Sequence, residues 1–444
     1  MFDVDVTIVL IVSLVVLVGI GVHIAIALGI ASALGIFLVT GGNFAVVQKM
    51  LASTAYESLR DYVFAVIPLF MLMGEFIAKS GAVTDVYKAI NRGLKRLPGR
   101  LAVATVLGNA IFSFVTGVSI ASAAAFSRIA YPQMKRFGYH KGFALGAVAG
   151  SSCLGMLIPP SVLMIVWGLL TEKSIGQIFL AGVLPGFLLV TLFILYVLGM
   201  AILKPDTVGG GRDAVVDDTD DEDLDSFAVW TSAIGIISVV VAVLGGIWFG
   251  IFSPTEGAGA GAVIGLVLAL MKDMRWHELV DCVLSVGRTS APILLLLITA
   301  ALFSRSLAMT GVANAIQDFI LGTGLQPWMI IAAMVGIWFL LGMVIDSISI
   351  MLLTVTIFEP IAVALGYDPI AFAIIGILAI EAGLLTPPFG LLVYTVKSTI
   401  PEEKDVSVMQ IFKSSTPYWI IILICMVMIA IFPQIATYLP KLVF

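Results

Sequence analysis

The chain has 444 residues, 60% of them hydrophobic and only 11% charged, with a formal net charge of −5. So few polar side chains cannot cover an apolar core of this size, which excludes a water-soluble globular domain and leaves a protein that crosses the bilayer many times. Cys153, Cys282 and Cys425 are too scattered for a disulfide framework or a metal cluster.

Apolar runs predict spans near 5–21, 24–40 and 60–79. The first has no basic leader and runs past signal-peptide length, so it reads as a retained span. Next comes an apolar stretch, 101–134, interrupted in its middle at Thr116-Gly117. Each arm of about 16 residues makes roughly 24 Å of helix, deep in the bilayer but short of crossing it. This pattern reads as a re-entrant hairpin, whose non-helical tip must face protein or a water-filled cavity. Spans near 140–170 and 177–203 follow. The former contains Pro159-Pro160, which removes two successive backbone donors and forces the helix open. Residues 204–226, with Gly209-Gly210-Gly211 and the run Asp217-Asp218-Thr219-Asp220-Asp221-Glu222-Asp223, read as a solvated linker. Beyond it, spans are expected near 227–250, 255–271 and 289–309, then a second hairpin over 328–360 turning near Asp346. A broken span over 368–397, carrying Pro387-Pro388, and a last span near 413–438 complete the chain.

The second half repeats the first. A shift of 387 − 159 = 228 positions lays Pro132 on Pro360, Gly138 on Gly366, Tyr139 on Tyr367, Gly155 on Gly383 and Pro159-Pro160 on Pro387-Pro388, without a gap. The expected units are therefore a first repeat, 1–203, the linker 204–226, and a second repeat, 227–444. Lys79, Lys88, Arg92, Lys95, Arg96, Arg100, Lys135, Arg136 and Lys141 flank the base of the first hairpin and place it in the cytoplasm, whereas 310–327 and 361–367 carry no Lys or Arg. Five crossings per half is odd, so the second repeat is inverted and both termini lie outside. The expected fold is an all-α polytopic membrane protein of two inverted-topology repeats, each with five crossing helices and one re-entrant hairpin.

The chain has no Gly-Lys dipeptide and hence no phosphate-binding P-loop, and it lacks His-Glu-x-x-His; His23, His140 and His277 are far apart. Use of ATP by this chain is thereby excluded, an intramembrane hydrolase is poorly supported, no enzyme activity is expected, and transport driven by an ion gradient remains. Hairpin tips and broken spans supply free carbonyls and helix ends that replace the hydration shell of Na⁺. Gly117, Ser119, Ser122, Gly155, Pro159, Pro160 and Ser161 form the first expected Na⁺ site. Gly342, Asp346, Ser347, Gly383, Thr386, Pro387, Pro388 and Gly390 form the second. Val118, Ser119, Asp346 and Ser349 are expected to face the substrate. Asp346 is the sharpest single residue, because a carboxylate in an apolar hairpin is costly unless paired or coordinating a cation. Its repeat mate is Val118, so the two sites differ chemically. Glu381 and Glu359 are secondary candidates, and Glu75 and Arg305 occupy matched places where they could pair or anchor at the interface. Gly257, Gly261 and Gly265 read as a close-packing helix face.

Several segments resemble the large membrane subunit of tripartite ATP-independent periplasmic (TRAP) transporters: Thr116-Gly117-Val118-Ser119-Ile120-Ala121-Ser122-Ala123, Leu157-Ile158-Pro159-Pro160-Ser161, Ala181-Gly182-Val183-Leu184-Pro185-Gly186, Gly342-Met343-Val344-Ile345-Asp346, and Gly383-Leu384-Leu385-Thr386-Pro387-Pro388-Phe389-Gly390. Val118 and Ala379 depart from the family pattern. The resemblance implies an elevator-type Na⁺ symporter in the inner membrane of a bacterium or archaeon, with no cofactor beyond Na⁺ as coupling ion. It further implies an organic acid substrate, often a carboxylate, delivered by a periplasmic solute-binding protein, and a small four-helix membrane subunit made as a separate polypeptide. The hairpins and broken spans would move against a scaffold that includes surface helices over 82–97 and 312–321. Beyond these proteins the partner is the lipid bilayer, and no nucleic acid is expected. The alternatives are a divalent-anion/Na⁺ or proton symporter that needs no binding protein, and a channel.

The charge asymmetry makes a direct prediction. A cysteine introduced at Thr219 should resist a membrane-impermeant thiol reagent in intact cells, and one at Thr323 should react. The reverse labelling pattern would sink the inverted topology.

Overall fold

Backbone groups inside a bilayer must be satisfied within the protein, and among the described residues this chain does so with helices and no strand, apart from an isolated bridge between Tyr139 and Val208. The computed structural model describes residues 4–209 and 226–444; the acidic run 217–223 lies outside them. Among the described residues, eight helical stretches are long and apolar enough to cross a membrane, from Tyr62–Lys79 to Val408–Ile431. The chain is an all-α polytopic membrane protein.

Helices α1 (Val4–Gly19) and α2 (Ile24–Val39) pack together. Helix α3 (Phe44–Arg60) has no counterpart among the expected spans. Asn43 starts it, its Oδ1 accepting the Ala45 and Val46 N–H groups at 3.1 and 3.4 Å. Gln48, Lys49, Glu57 and Arg60 interrupt its apolar run, which is why a search for spans passes over it. Helices α4 (Val66–Lys79) and α5 (Ala82–Gly93) lead into the first hairpin, whose arms are α6 (Arg100–Thr116) and α7 (Ser119–Ile129), with α8 (Tyr131–Arg136) at its base. The broken span comprises α9 (Lys141–Ser152), α10 (Leu154–Leu157) and α11 (Val162–Thr171), followed by the long α12 (Ile175–Leu203).

Past the undescribed stretch run α13 (Ser226–Val240), a π turn, α14 (Gly246–Trp248) and α15 (Pro254–Met271). Ser253 and Glu256 close a capping box at the start of α15. Helix α16 (Trp276–Thr310) begins well before the span expected at 289, because its polar first turns, with His277, Glu278, Asp281 and Arg288, extend the helix beyond the apolar window. Then come α17 (Val312–Gly322), the second hairpin α18 (Pro327–Gly342) and α19 (Ser347–Ala364), and the broken pair α20 (Pro369–Gly383) and α21 (Leu391–Thr399). The last span, α22 (Val408–Ile431), ends before Pro433, and a separate helix, α23 (Gln434–Val443), follows.

Two sets of helix contacts stand out, joined through α6, which packs on α4 and α5 as well as on α9. On the periphery, α2 and α3 pack on α16, and α4 packs on α15. The glycine face of α15 is where α4 comes closest: any Cβ on Gly261 would collide with Met73. Further in, α18 packs on α20, α20 on α22, α22 on α9, and α6 on α9. The second arm of each hairpin packs on the last piece of the other half's broken span, α7 on α21 and α19 on α11.

Ion pairs mark the same cross-connection at both ends. At the base of the first hairpin, Lys135 and Lys141 both reach the buried carboxylate of Glu403, Lys141 at 2.8 Å, while Lys141 also meets Asp405 at 2.6 Å. At the second, Glu359 lies 3.9 Å from Lys173. Hydrogen bonds from Lys135 and then Lys141 hold the Glu403 carboxyl below the usual carboxylate range. A carboxyl lowered in this way stabilises the fold above the ordinary carboxylate range, near pH 4.3 for Glu, and that contribution is lost as pH falls through its folded value. Glu403→Gln should therefore lower the melting temperature of the detergent-purified protein at pH 7 by an amount equivalent to about 1–2 kcal/mol, scaled down from a fully buried pair because both lysines are partly exposed. The deficit should shrink as pH drops below about 4. Equal melting of the two proteins at neutral pH would show that the cluster adds no stability.

Candidate functional site

Gly117 ends α6 in the left-handed region, φ +61°, a conformation that suits glycine. Any Cβ there would strike the Pro160 carbonyl oxygen, and the Val162 N–H donates to the Gly117 carbonyl at 3.1 Å. On the other side of the tip, a Cβ on Gly155 would lie 2.8 Å from the Ser119 nitrogen. The first tip, Gly117-Val118-Ser119, is thus laid directly on the first break, Gly155 to Ser161. The same happens in the second half. A Cβ on Gly342 would lie 2.8 Å from the Gly383 Cα, and the Phe389 N–H donates to the Met343 carbonyl at 3.1 Å.

The proline pairs explain the polar character of these junctions. Pro159 and Pro160 have no N–H to offer the carbonyls of Gly155 and Met156, and Pro387 and Pro388 none for those of Gly383 and Leu384. Side chains and distant backbone answer some of the loss. The Ser161 hydroxyl donates to the Met156 carbonyl at 2.6 Å, the Thr386 hydroxyl to that of Gly383 at 2.7 Å, and the Leu392 N–H to that of Leu384 at 3.3 Å. The first break is wholly buried; the second exposes Pro387, Pro388 and Phe389. Gly390 turns the chain at φ +42° against the Phe412 ring.

Asp346, the residue most conspicuous in the sequence, caps α19: its Oδ1 accepts the Ser349 N–H at 3.0 Å, and it is half-buried. The carboxylate at the centre is Glu381, only 1% exposed. Its Oε2 accepts the Ser119 hydroxyl at 2.5 Å and its Oε1 the Ser347 hydroxyl at 3.1 Å, so one side chain touches both hairpin tips. Ser122 is buried with its hydroxyl unpartnered.

Three of the other singled-out side chains lie apart. Glu75 pairs with Lys79 at 3.5 Å, and Arg305 pairs with Glu57 and donates to Thr54 at 3.0 Å, so Glu75 and Arg305 do not pair with each other. Glu359 stays at the hairpin base beside Lys173. Two polar residues unnoticed in the sequence are buried near the first break: Asn109 Nδ2 donates to the Ser151 hydroxyl at 2.7 Å, and Asn109 Oδ1 has no partner. A lone amide in an otherwise apolar hairpin arm was the available signal. A ring cluster of Trp167, Trp338 and Phe372, with centroids 5.3 to 6.0 Å apart, fixes α11, α18 and α20 together.

Hydroxyl, carbonyl and carboxylate oxygens without a thiol or imidazole cluster make a set suited to a hard cation. Among the described residues no group of three or more His, Cys, Asp or Glu comes together.

Comparison with known proteins gives a consistent result. Residues 11–435 match the family model described as tripartite ATP-independent periplasmic transporter, DctM component. A C4-dicarboxylate TRAP transporter large permease protein of Pseudomonas aeruginosa is 31% identical over 88% of this chain and 90% of its own. An ectoine TRAP transporter large permease protein of Halomonas elongata is 26% identical over 92% and 93%. Among solved structures, the YdaH transporter of Alcanivorax borkumensis superposes with a TM-score of 0.61 over 89% of each chain at 13% identity, a likeness of fold alone.

The tip-to-break contacts can be tested by size. A Cβ at Gly383 would lie 2.5 Å from the Phe339 carbonyl oxygen and 2.7 Å from the Gly342 Cα, both backbone atoms that cannot rotate away. Gly383→Ala should destabilise the purified protein by about 1–3 kcal/mol through overpacking. Gly259→Ala, which meets nothing within 4 Å, should show no loss in the same thermal melt. Equal behaviour of the two variants would mean that the tip does not rest on the break.

Proposed function

Because this chain belongs to the family of the DctM component, the large permease of tripartite ATP-independent periplasmic transporters, we propose that it takes up a small organic acid, coupled to Na⁺, as the membrane-embedded part of a binding-protein-dependent system. The observation that carries the reading is the meeting of two hairpin tips with two broken helices around one buried carboxylate. On this reading, Na⁺ binds between each tip and its break, at Gly117, Ser119, Ser122, Gly155 and Pro159 to Ser161 in one half. Gly342, Asp346, Ser347, Gly383, Thr386 to Pro388 and Gly390 hold it in the other.

The solute lies between the tips, near Val118, Ser119, Asp346 and Ser349. Helices α7 and α19 begin there, and their positive ends favour an anion. The two relatives described are named for C4-dicarboxylates and for ectoine, both carboxylate-bearing solutes, which supports an organic acid. Two Na⁺ carried with one monoanion move one net charge inward, a gain of about 2.3 kcal/mol at 100 mV, enough to concentrate the solute. The inner group of helices moves as an elevator against the peripheral group in the inner membrane. Both termini lie outside and the acidic linker inside. A periplasmic solute-binding protein delivers the substrate, and a separate four-helix subunit completes the membrane part.

Reconstituted with these two partners, the protein should accumulate a carboxylate in proteoliposomes when Na⁺ is outside and stop when choline replaces it. Undiminished uptake in choline at constant pH would remove Na⁺ coupling, and uptake without any partner would remove the binding-protein requirement. Asp346→Asn should raise the Na⁺ concentration for half-maximal uptake about tenfold, the loss of about 1.4 kcal/mol, with near-normal expression because an amide is less costly to bury than a carboxylate.

A further inference from the structure

Ser119 and Ser347, the two serines that donate to Glu381, are repeat mates, since 347 − 119 = 228, the same offset that superposes the proline pairs. Each is the first residue of the second arm of its hairpin, on a helix of 11 residues in one case and 18 in the other. Two equivalent hydroxyls from the two halves therefore converge on one carboxylate. The mate of Glu381 itself, at 381 − 228 = 153, is Cys153, buried and 1% exposed. The paired tips share a single acidic group where exact symmetry would supply two.

Among the described residues, no cationic side chain pairs with that group. Its side-chain hydrogen-bond partners among them are the two serine hydroxyls, and the ion pairs of Lys135, Lys141, Lys173, Lys272 and Arg305 lie elsewhere. A buried carboxylate held only by neutral donors remains costly until a cation approaches it. Unused ligand oxygen lies nearby: the Ser122 hydroxyl is 0% exposed and unpartnered, three residues after Ser119 on the same side of α7.

We propose that Glu381 is the counter-charge shared by the cations of both tips, so that one carboxylate sets the affinity of both sites and ties the two tips to each other. This rests on the Na⁺ reading above. Asp346, by contrast, belongs to the second tip alone. Shared in this way, the charge of Glu381 is felt equally through Ser119 and Ser347.

The test reads cation binding on the purified chain without transport, as the rise in melting temperature on titrating NaCl against choline chloride at constant ionic strength. Glu381→Gln keeps a group able to bond both hydroxyls and removes the charge. It should need about tenfold more Na⁺ for half of the wild-type rise. Glu381→Asp, which retains the charge on a shorter stem, should restore much of the response. Ser119→Ala and Ser347→Ala should each raise the midpoint by a similar factor. A Glu381→Gln titration matching wild type would overturn the proposal and leave the carboxylate as a hydrogen-bonding strut, and so would a wild-type chain that Na⁺ does not stabilise. If Glu381→Gln does not fold, the serine variants decide: a shift in only one of them, or in neither, overturns the shared role. Failure of the coupling reading looks different. There Na⁺ stabilises the wild-type chain and Glu381→Gln shifts the midpoint, yet uptake by the reconstituted system proceeds in choline.

Discussion

A helix that opens inside a bilayer frees backbone groups that water cannot reach, and everything distinctive in this protein follows from how those groups find partners. Each break is covered by the tip of the preceding hairpin at glycine-to-backbone distance. Gly117 sits against the Pro160 carbonyl and Gly342 against Gly383. Only residues without a side chain allow that approach, and only the approach lets Val162 and Phe389 donate across the junction. The same closeness brings polar atoms together in an apolar surrounding.

The two halves satisfy this requirement with different chemistry. Val118 stands where the second half has Asp346, and Cys153 where it has Glu381. The first break is sealed, with Pro159, Pro160 and Ser161 all buried, while Pro387 to Phe389 are exposed. Even the ion pairs at the hairpin bases reverse sign: the first hairpin offers lysines to Glu403, the second offers Glu359 to Lys173. A chain of identical halves would put like charges on one axis, where they repel; unequal halves avoid that cost.

Cross-connection also ties the two halves together. Each hairpin leans on the other half's broken span, with the Trp167–Trp338–Phe372 cluster between them and the charged clusters at their ends. Helix α15 meets α4 through small residues, along Gly261 and Gly265. Directional bonds join other peripheral helices, Arg305 of α16 to Glu57 and Thr54 of α3 and Lys272 after α15 to Asp85 of α5, while the inner helices are held by aromatic, ionic and hydrogen-bonded contacts.

Much of the architecture was legible in the sequence because its causes are local. Proline lacks a donor and glycine tolerates positive φ wherever they occur, so the positions of breaks and tips can be read from Pro159-Pro160, Pro387-Pro388 and Gly117, and apolar length alone announces a polytopic membrane protein. Polar helices are harder to see: α3 and the first turns of α16 are helical through caps and amphipathic packing, which an apolar window does not register. The ranking of the carboxylates was not legible in the sequence, which marked Glu381 only as a secondary candidate behind Asp346. Asp346 is conspicuous beside its glycine-rich tip, yet it spends one oxygen capping its own helix, and Glu381 lies in an apolar run two residues before Gly383, a place that marks it as a candidate without showing what it touches. What gives it importance is the arrival of Ser119 from 262 residues away and of Ser347 from 34. Sequence patterns record what each residue does to its own backbone, whereas the partners of a buried charge are set by which distant segments fold against it, and only the tertiary structure decides that.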